Sequence, residues 1–311
     1  MKRALVLALA VLLGACAPPT LDVRAPATPP AVEGVTWSHH VFAGRHGTQL
    51  FEESWRPSSG EPRATLVIHH GLKSYADHYG PLAQKLVKVG FAVHAYDMRG
   101  HGHSAGMRAS LDDFDDLVGD LSDFVERIRK EEGGRPLFVM GHSVGGAVVS
   151  TYVVTEKPQV AGMVLLAPAI RVDRAPIEAG ATPFFGTLSP NLGVVDVPDE
   201  FFSRSPEIVE EMGKDPLVYH PPGPARTAVG LLRALERMWA GADTIDVPLL
   251  AMHGTADKAT DPRGSAEIVR RARATDKKLV LYRGLFHDLV REPEREQVME
   301  DITAWLTERV R

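Results

Sequence analysis

The stretch Gly141–Gly145, with the sequence Gly-His-Ser-Val-Gly, constrains the fold of this chain more than any other. An apolar run, Leu137–Met140, precedes it, and small residues and valines follow it. The pattern predicts a buried strand, a sharp turn with Ser143 at its apex, and a helix. Glycines are expected two residues either side of the serine, because a Cβ there would clash where strand and helix converge. The pentapeptide alone is also compatible with a glycine-rich turn that carries an incidental serine.

Strand and helix patterns alternate through the chain from about residue 35. Continuous apolar runs are typical of strands buried on both faces of a parallel sheet, and the amphipathic segments between them are typical of covering helices. The sequence therefore predicts an α/β fold with a mostly parallel, eight-stranded sheet flanked by helices. The predicted strands are Val35–Phe42, Thr48–Trp55, Ala64–Ile68, Phe91–Tyr96, Leu137–Met140, Gly162–Ala167, Pro248–His253 and Lys278–Tyr282.

One helix has a particularly clear signature, between the fourth and fifth predicted strands. Apolar residues recur there at steps of three and four from Leu111 to Ile128, which is the period of one helix face. We expect Ser110 to cap this helix, with Asp113 three residues later in the position of a capping box.

The alternation is interrupted at residues 170–226, which we call the cap segment. This segment has many prolines and no clear strand, so we expect an insertion over one end of the sheet, with the core domain formed by residues 34–169 and 227–311. Its apolar residues could equally line a channel for an apolar ligand or form the core of the insertion. They include Phe184, Phe185, Leu188, Leu192, Val194, Val195, Phe201 and Phe202.

An acidic residue and a histidine each follow one of the last two predicted strands. Because the carboxyl ends of parallel strands share one edge of a sheet, Ser143, Asp257 and His287 are expected to meet there. In that arrangement Ser143 is the nucleophile, His287 is the general base and then the acid, and Asp257 fixes the imidazole tautomer. Asp261 competes with Asp257 for this role, but it precedes Pro262 and better suits the N-cap of the next helix.

Acyl transfer through a serine also needs two N–H donors for the developing oxyanion. The backbone N–H of Val144, directly after the nucleophile, is one candidate. The other is expected in the loop after the third predicted strand, at the backbone N–H of Leu72. A chance arrangement of turn, acid and base, each at a strand end and in this order, is improbable, which argues against an incidental serine.

The first residues of the chain differ from the rest. Lys2 and Arg3 precede an apolar run and small residues, which is typical of a signal peptide at 1–15. Leu-Gly-Ala-Cys at 13–16 resembles a bacterial lipobox, so we expect Cys16, the single cysteine, to be lipidated. The proline-rich stretch 16–33 then reads as a tether to a cell-envelope membrane, facing the periplasm or the exterior. The alternative is an ordinary signal peptide with a stray cysteine.

Charge and residue spacing exclude other classes of function. The formal net charge is −5 and there is no long basic run, which argues against nucleic-acid binding. No histidine or cysteine has metal-ligand spacing with acidic partners, so we expect no metal and no cofactor. Nothing in the sequence points to an obligate protein partner.

Five motifs together resemble the α/β-hydrolase superfamily, and within it the monoacylglycerol lipase and lysophospholipase branch, which is often grouped with the S33 serine aminopeptidases. The motifs are His70-Gly71, the stretch Asp97-Met98-Arg99-Gly100-His101-Gly102-His103-Ser104, the stretch 141–146, Gly254-Thr255-Ala256-Asp257 and Gly284-Leu285-Phe286-His287. The resemblance implies a serine esterase that cleaves acyl esters or lipids through an acyl-enzyme, with a cap that lines an acyl-chain channel.

The chain departs from the same branch at three positions. Ser74 and His78 stand where animal monoacylglycerol lipases have a glutamate and an arginine that help to hold glycerol, and Val290 replaces a further histidine. These departures leave the ester chemistry intact and put glycerol recognition in doubt. A short-chain carboxylesterase, an aminopeptidase of the same fold and a non-catalytic envelope lipoprotein remain as alternatives.

Overall fold

A single large sheet organises the molecule. The structure, a computed structural model, describes residues 20–21, 31–110, 113–172, 190–191 and 193–310. The predicted signal peptide, Cys16 and four of the apolar cap residues (Phe184, Phe185, Leu188 and Leu192) lie outside these residues. Within the described residues, the sheet strands are β1 (Val35–Ala43), β2 (Gln49–Pro57), β3 (Ala64–His69), β4 (Phe91–Tyr96), β5 (Leu137–His142), β6 (Gly162–Leu166), β7 (Leu249–Gly254) and β8 (Lys277–Tyr282).

The strands lie in the order β8-β7-β6-β5-β3-β4-β2-β1. Neighbours among β3 to β8 are parallel, whereas β2 is antiparallel to both β4 and β1. The predicted mostly parallel, eight-stranded α/β fold is therefore confirmed. Because β4 lies on one side of β3 and β5 on the other, the direction of winding reverses at the β3–β5 pair. In open α/β sheets, ligands bind at the carboxyl ends of the strands at such a reversal.

Helices cover both faces of the sheet. Side chains of β5 alternate between two buried apolar clusters, Val139 in one and Phe138 and Met140 in the other, so the two clusters lie on opposite faces. The helices α2, α3, α5 and α6 contribute to the first cluster, and α1 and α7 to the second. The described helices are α1 (Gly80–Lys88), α2 (Phe114–Glu131), α3 (Val144–Glu156), α4 (Pro206–Lys214), α5 (Ala225–Ala240), α6 (Pro262–Arg271) and α7 (Arg295–Glu308).

Helix α3, which begins directly after Ser143, is buried on all sides. Every residue from Val144 to Val154 is buried, and the helix contacts β5, α2 and α5. A helix that is apolar all round belongs in the interior of a domain. The turn that carries Ser143 is therefore fixed at both ends by core elements.

Side-chain caps set the starts of two helices. Asp113 is the N-cap of α2, since its carboxylate accepts the N–H of Asp115 at 2.8 Å, and the expectation that Ser110 caps this helix was wrong. The helix begins at Phe114, so the residue directly before it, Asp113, is the one whose side chain reaches the unpaired N–H groups of the first turn. Asp261 caps α6 by accepting the N–H of Arg263 at 2.9 Å, as the sequence predicts.

The cap segment contains more regular structure than the sequence predicts. Residues Gly193–Val195 pair with Gly223–Pro224 in a short antiparallel ladder, and α4 lies between them in the chain. The Ser205-Pro206 pair is a typical helix start that could have revealed α4, because Ser205 caps the helix and Pro206 occupies its first turn. Helix α5 begins at Ala225, two residues before the predicted start of the second part of the core domain at residue 227.

A second short ladder lies near the N-terminus. Thr20–Leu21 pair antiparallel with Gly106–Met107, which lie in the loop between β4 and α2. Among the described residues, no helix combines the length and the apolar character needed to cross a membrane.

Candidate active site

The turn between β5 and α3 holds Ser143 in a conformation that residues other than glycine rarely adopt. Its φ and ψ angles are 54° and −122°. The N–H of Ser143 donates to the carbonyl of Leu166 at 3.0 Å, and its carbonyl accepts from the N–H groups of Ala147 at 3.2 Å and Ala169 at 2.8 Å. Such backbone strain costs on the order of 1–3 kcal/mol and persists only where the surroundings enforce it.

Glycines allow the turn to pack against its neighbours, as predicted. A Cβ on Gly141 would lie 2.3 Å from the carbonyl oxygen of Gly145, and one on Gly145 would lie 2.2 Å from that of His69 at the end of β3. A Cβ on Gly71 would lie 2.6 Å from the Cβ of Ser143. A larger residue at position 71 or 145 would push the end of β3 and its loop away from the turn, and one at position 141 would push the start of α3 away from β5.

The structure brings the three predicted catalytic side chains together. Nε2 of His287 lies 2.8 Å from Oγ of Ser143, and Nδ1 of His287 lies 2.8 Å from Oδ2 of Asp257. All three side chains are buried. The competing Asp261 points elsewhere, onto the first turn of α6 and the side chain of Arg263. The geometry is that of a nucleophile in contact with a base that a carboxylate orients.

Two residues that the sequence analysis missed hold Asp257 in place. Nε2 of His253 lies 3.1 Å from Oδ2 of Asp257, and the Thr260 hydroxyl donates to the same oxygen at 3.0 Å. The backbone N–H groups of Ala259 and Thr260 donate to Oδ1 at 2.8 and 2.9 Å. His253 is the second-last residue of β7, the strand that leads to Asp257, and that placement is the only signal by which the sequence could have revealed its role.

The shifts in pKa of the acid and the base oppose each other. Burial disfavours the ionised form of Asp257, but the charge of His287 and the hydrogen bonds of both neighbouring histidines outweigh it and hold the pKa far below its ordinary value. Burial also disfavours a charged His287, but the charge of Asp257 and its hydrogen bond outweigh burial and raise the pKa of His287 above its ordinary value of 6.5. The pair therefore stabilises an imidazolium next to a carboxylate.

His142, the residue before the serine, packs against the catalytic base His287. Its ring packs on that of His287 with centroids 5.0 Å apart, and its Nε2 lies 3.3 Å from the carbonyl oxygen of His287. Nδ1 lies 2.9 Å from the hydroxyl of Tyr79. Burial lowers the pKa of His142 to about 4, so the ring is neutral at pH 7, with Nε2–H donating to the carbonyl and Nδ1 accepting from the tyrosine. The sequence offered no signal for this contact.

His70 fixes the loop that was predicted to carry an oxyanion donor. The N–H of Met98 donates to Nε2 of His70 at 2.8 Å, so the proton is on Nδ1, which donates to the carbonyl of Gly71 at 2.7 Å. Burial, together with neighbouring histidines, holds the pKa of His70 well below its ordinary value. Because the Gly71–Leu72 peptide is trans, the Leu72 N–H points away from the His70 ring.

The second predicted donor lies at a helix N-terminus. Val144 is the first residue of α3, and N–H groups in the first turn of a helix have no partner within the helix. The side chains of Leu72 and Val144 line the same cavity as Ser143. Leu72 and Val144 therefore lie at the same cavity as Ser143, and their role as oxyanion donors stays a prediction.

A cavity of about 300 Å³ reaches the serine and the histidine. Most of its lining side chains are apolar, and three of the predicted cap residues, Val195, Phe201 and Phe202, are among them. The ring of Phe202 also packs on that of His287 with centroids 5.4 Å apart. The cap segment thus contributes both to the wall of the cavity and to the position of the histidine.

The residues at the three departing positions, Ser74, His78 and Val290, are not among those that line this cavity. Oγ of Ser74 lies 3.1 Å from Nδ1 of His78, whose ring packs on that of Tyr75 at 4.1 Å. The Tyr75 hydroxyl donates to Asp215 at 2.7 Å, just after α4. Val290 is buried in the apolar cluster of α1 and α7. Ser74 and His78 therefore belong to a polar contact between the core and the cap segment.

Comparisons with known proteins show the family of the chain. The chain matches the family described as serine aminopeptidase, S33, over residues 60–294. It is 33% identical over 276 residues to a monoacylglycerol lipase of Mycolicibacterium smegmatis, covering 87% of this chain and 97% of that protein. It is 30% identical over 287 residues to the human monoglyceride lipase, covering 91% and 94%.

Among solved structures, the monoacylglycerol lipase of Paleococcus ferrophilus is similar, with a TM-score of 0.73 and 28% identity over 84% of this chain and 99% of that one. The fold, the motifs and the family match agree, and the chain belongs to the serine aminopeptidase S33 family of α/β-hydrolases.

Proposed function

We propose that this protein is a lipolytic serine hydrolase that cleaves carboxylic acyl esters, such as monoacylglycerols or lysophospholipids, through an acyl-enzyme on Ser143. The observation that carries the proposal is the continuous contact from Ser143 through His287 to Asp257, each link 2.8 Å long, at an apolar cavity. Relatives named as monoacylglycerol lipases favour ester hydrolysis over an aminopeptidase or a non-catalytic lipoprotein.

The first half-reaction forms the acyl-enzyme. Oγ of Ser143 attacks the ester carbonyl carbon while its proton passes to Nε2 of His287. The imidazolium is stabilised by the carboxylate of Asp257, which stays ionised. When the tetrahedral intermediate collapses, the bond to the alcohol oxygen breaks, and His287 returns the proton to the leaving alcohol.

The second half-reaction releases the fatty acid. A water molecule gives a proton to Nε2 of His287 and attacks the acyl carbon. The bond to Oγ of Ser143 then breaks, and the serine recovers its proton from the imidazolium. During both steps the N–H groups of Leu72 and Val144 stabilise the charge on the former carbonyl oxygen. We assign the acyl chain to the apolar cavity, whose wall includes Val195 and Phe202 of the cap segment.

We also propose that the protein is a lipoprotein of a bacterial envelope, with a signal peptide at 1–15 and a lipid on Cys16. The order of basic, apolar and small residues before Cys16, and the absence of any other cysteine from the sequence, support this proposal. An anchored enzyme would act on lipids of the membrane that holds it.

Replacing Ser143 with alanine tests the nucleophile. We expect a fluorophosphonate probe to label the wild-type protein and not Ser143→Ala, and kcat for an acyl ester to fall by about 10⁶-fold, since the nucleophile is lost. Ser58→Ala, at an exposed turn, is the matched control and should behave as wild type. Equal labelling of Ser143→Ala and wild type would exclude the assignment.

Replacing Asp257 with asparagine tests the acid. The general base must be neutral, so activity should disappear as pH falls through the raised pKa of His287. Without the carboxylate, burial dominates and that pKa falls, so the acidic limb of kcat/KM should move to lower pH while kcat falls by about 10⁴-fold. The control Asp261→Asn should leave both the acidic limb of kcat/KM and the value of kcat unchanged. An acidic limb that stays in place in Asp257→Asn would contradict the assignment.

Replacing His70 tests its role as a positioning residue for the Leu72 N–H. We expect His70→Ala to lower kcat by about 10–100-fold with little change in KM, because an oxyanion donor acts mainly in the transition state. His70→Asn, which keeps a donor near Nδ1, should recover part of kcat. If His70→Ala raises KM and leaves kcat unchanged, or if His70→Asn recovers none of the lost kcat, His70 has another role.

Replacing Cys16 with serine tests the anchor. In a bacterial host, the wild-type protein should fractionate with membranes and carry a lipid-modified N-terminal cysteine by mass spectrometry. Cys16→Ser should lose the modification and leave the membrane fraction. If both variants are soluble and unmodified, the segment is an ordinary signal peptide and the cysteine is incidental.

A further inference from the structure

A lysine without a charged partner stands at the boundary of the catalytic cavity. Lys258 directly follows Asp257, and its side chain lines both the cavity and a neighbouring open groove of about 620 Å³. Its ammonium group lies over the rings of Phe286 at 4.9 Å and Phe201 at 5.6 Å. In the part of the chain that the structure describes, no carboxylate lies within 4.0 Å of it.

The backbone under Lys258 is fixed. The N–H groups of the next two residues, Ala259 and Thr260, both donate to the carboxylate of Asp257. The two aromatic rings stabilise the ammonium group by cation–π attraction while it remains exposed to solvent. Lys258 is therefore a preorganised cation beside the reacting centre, with room for an anionic ligand.

The groove beyond Lys258 carries further charges, and most of them are paired. Arg204 bonds to Glu292 and Glu294, and Glu210 pairs with a lysine one helical turn further along α4. Glu200 lines the groove but not the cavity, is exposed, and has no ion pair among the described residues. Moving outward from the catalytic cavity, a substrate therefore meets an unpaired cation and then an unpaired carboxylate.

That order of charge matches one class of lipid head group. Beyond its glycerol, a zwitterionic lysophospholipid carries an anionic phosphate and then a cationic amine. Meanwhile Ser74 and His78 are engaged in the contact between core and cap segment, so they are not free to hold glycerol. We propose that the groove between Lys258 and Glu200 is a head-group subsite for lysophospholipids, with Lys258 on the phosphate and Glu200 on the amine. This proposal rests on the ester hydrolysis proposed at Ser143.

The test compares three substrates with the same acyl chain: a 1-acylglycerol, lysophosphatidic acid and lysophosphatidylcholine. We expect Lys258→Met to lower kcat/KM about tenfold for both phosphate-bearing substrates, mainly through KM, because a charge-assisted contact is lost. Its activity on the 1-acylglycerol should change little. Glu200→Gln should lower kcat/KM for lysophosphatidylcholine alone. The control Lys88→Met lies at an exposed helix end at the opposite edge of the sheet and should leave kcat/KM unchanged for all three substrates.

A measurement of ligand binding tests the head-group subsite independently of ester hydrolysis. In a Ser143→Ala background, Lys258→Met should raise the Kd of lysophosphatidylcholine about tenfold, and added salt should reduce the difference. An equal loss on all three substrates, or an unchanged Kd, would overturn the subsite. If wild type hydrolyses none of the three but lysophosphatidylcholine still binds through Lys258, the proposed function fails and the subsite stands.

Discussion

The contact between the turn at Ser143 and the carboxyl end of β3 is the constraint on which the site depends. At this contact, Gly145 approaches the carbonyl oxygen of His69, and Gly71 approaches Ser143 itself. The parallel strands β3 and β5 are neighbours here, and the strand order of the sheet reverses between them. The turn with the nucleophile and the loop with the predicted oxyanion donor therefore meet, although they are far apart in the sequence. Without side chains at the two glycines, the backbones come close enough for one substrate carbonyl to touch both.

Around that contact, four buried histidines have different roles, which follow from their hydrogen-bond partners. His70 and His142 are buried and neutral, and each uses one nitrogen as donor and the other as acceptor to orient backbone groups. His287 faces Asp257, which favours its charged form. His253 adds a further contact to that carboxylate. The same residue type therefore orients backbone groups at positions 70 and 142 and carries the proton at position 287, where Nε2 faces Oγ of Ser143.

Much of the fold and the three central residues could be predicted because their signals are local. Apolar runs in the sequence predict buried strands, and Ser143, Asp257 and His287 each follow such a run. The contacts of His142 and His253 could not be predicted, because they join residues that only the tertiary fold brings together. Helix α4 was missed although Ser205 and Pro206 form a typical helix start, because the many prolines around it made the whole cap segment look irregular. Ser110 was expected as a cap where the carboxylate of Asp113 took that position.

The short ladder of Thr20–Leu21 with Gly106–Met107 has a consequence for how an anchored enzyme would sit. The loop that carries Gly106 follows the carboxyl end of β4, which is the edge of the sheet where Ser143 lies. Four peptide steps separate Cys16 from Thr20, and they span at most about 14 Å. A lipid on Cys16 would therefore hold Thr20, and with it the loop that carries Gly106, within about 14 Å of the lipidated cysteine. Tethering of this kind would raise the concentration of membrane lipids around the enzyme above that in the surrounding water.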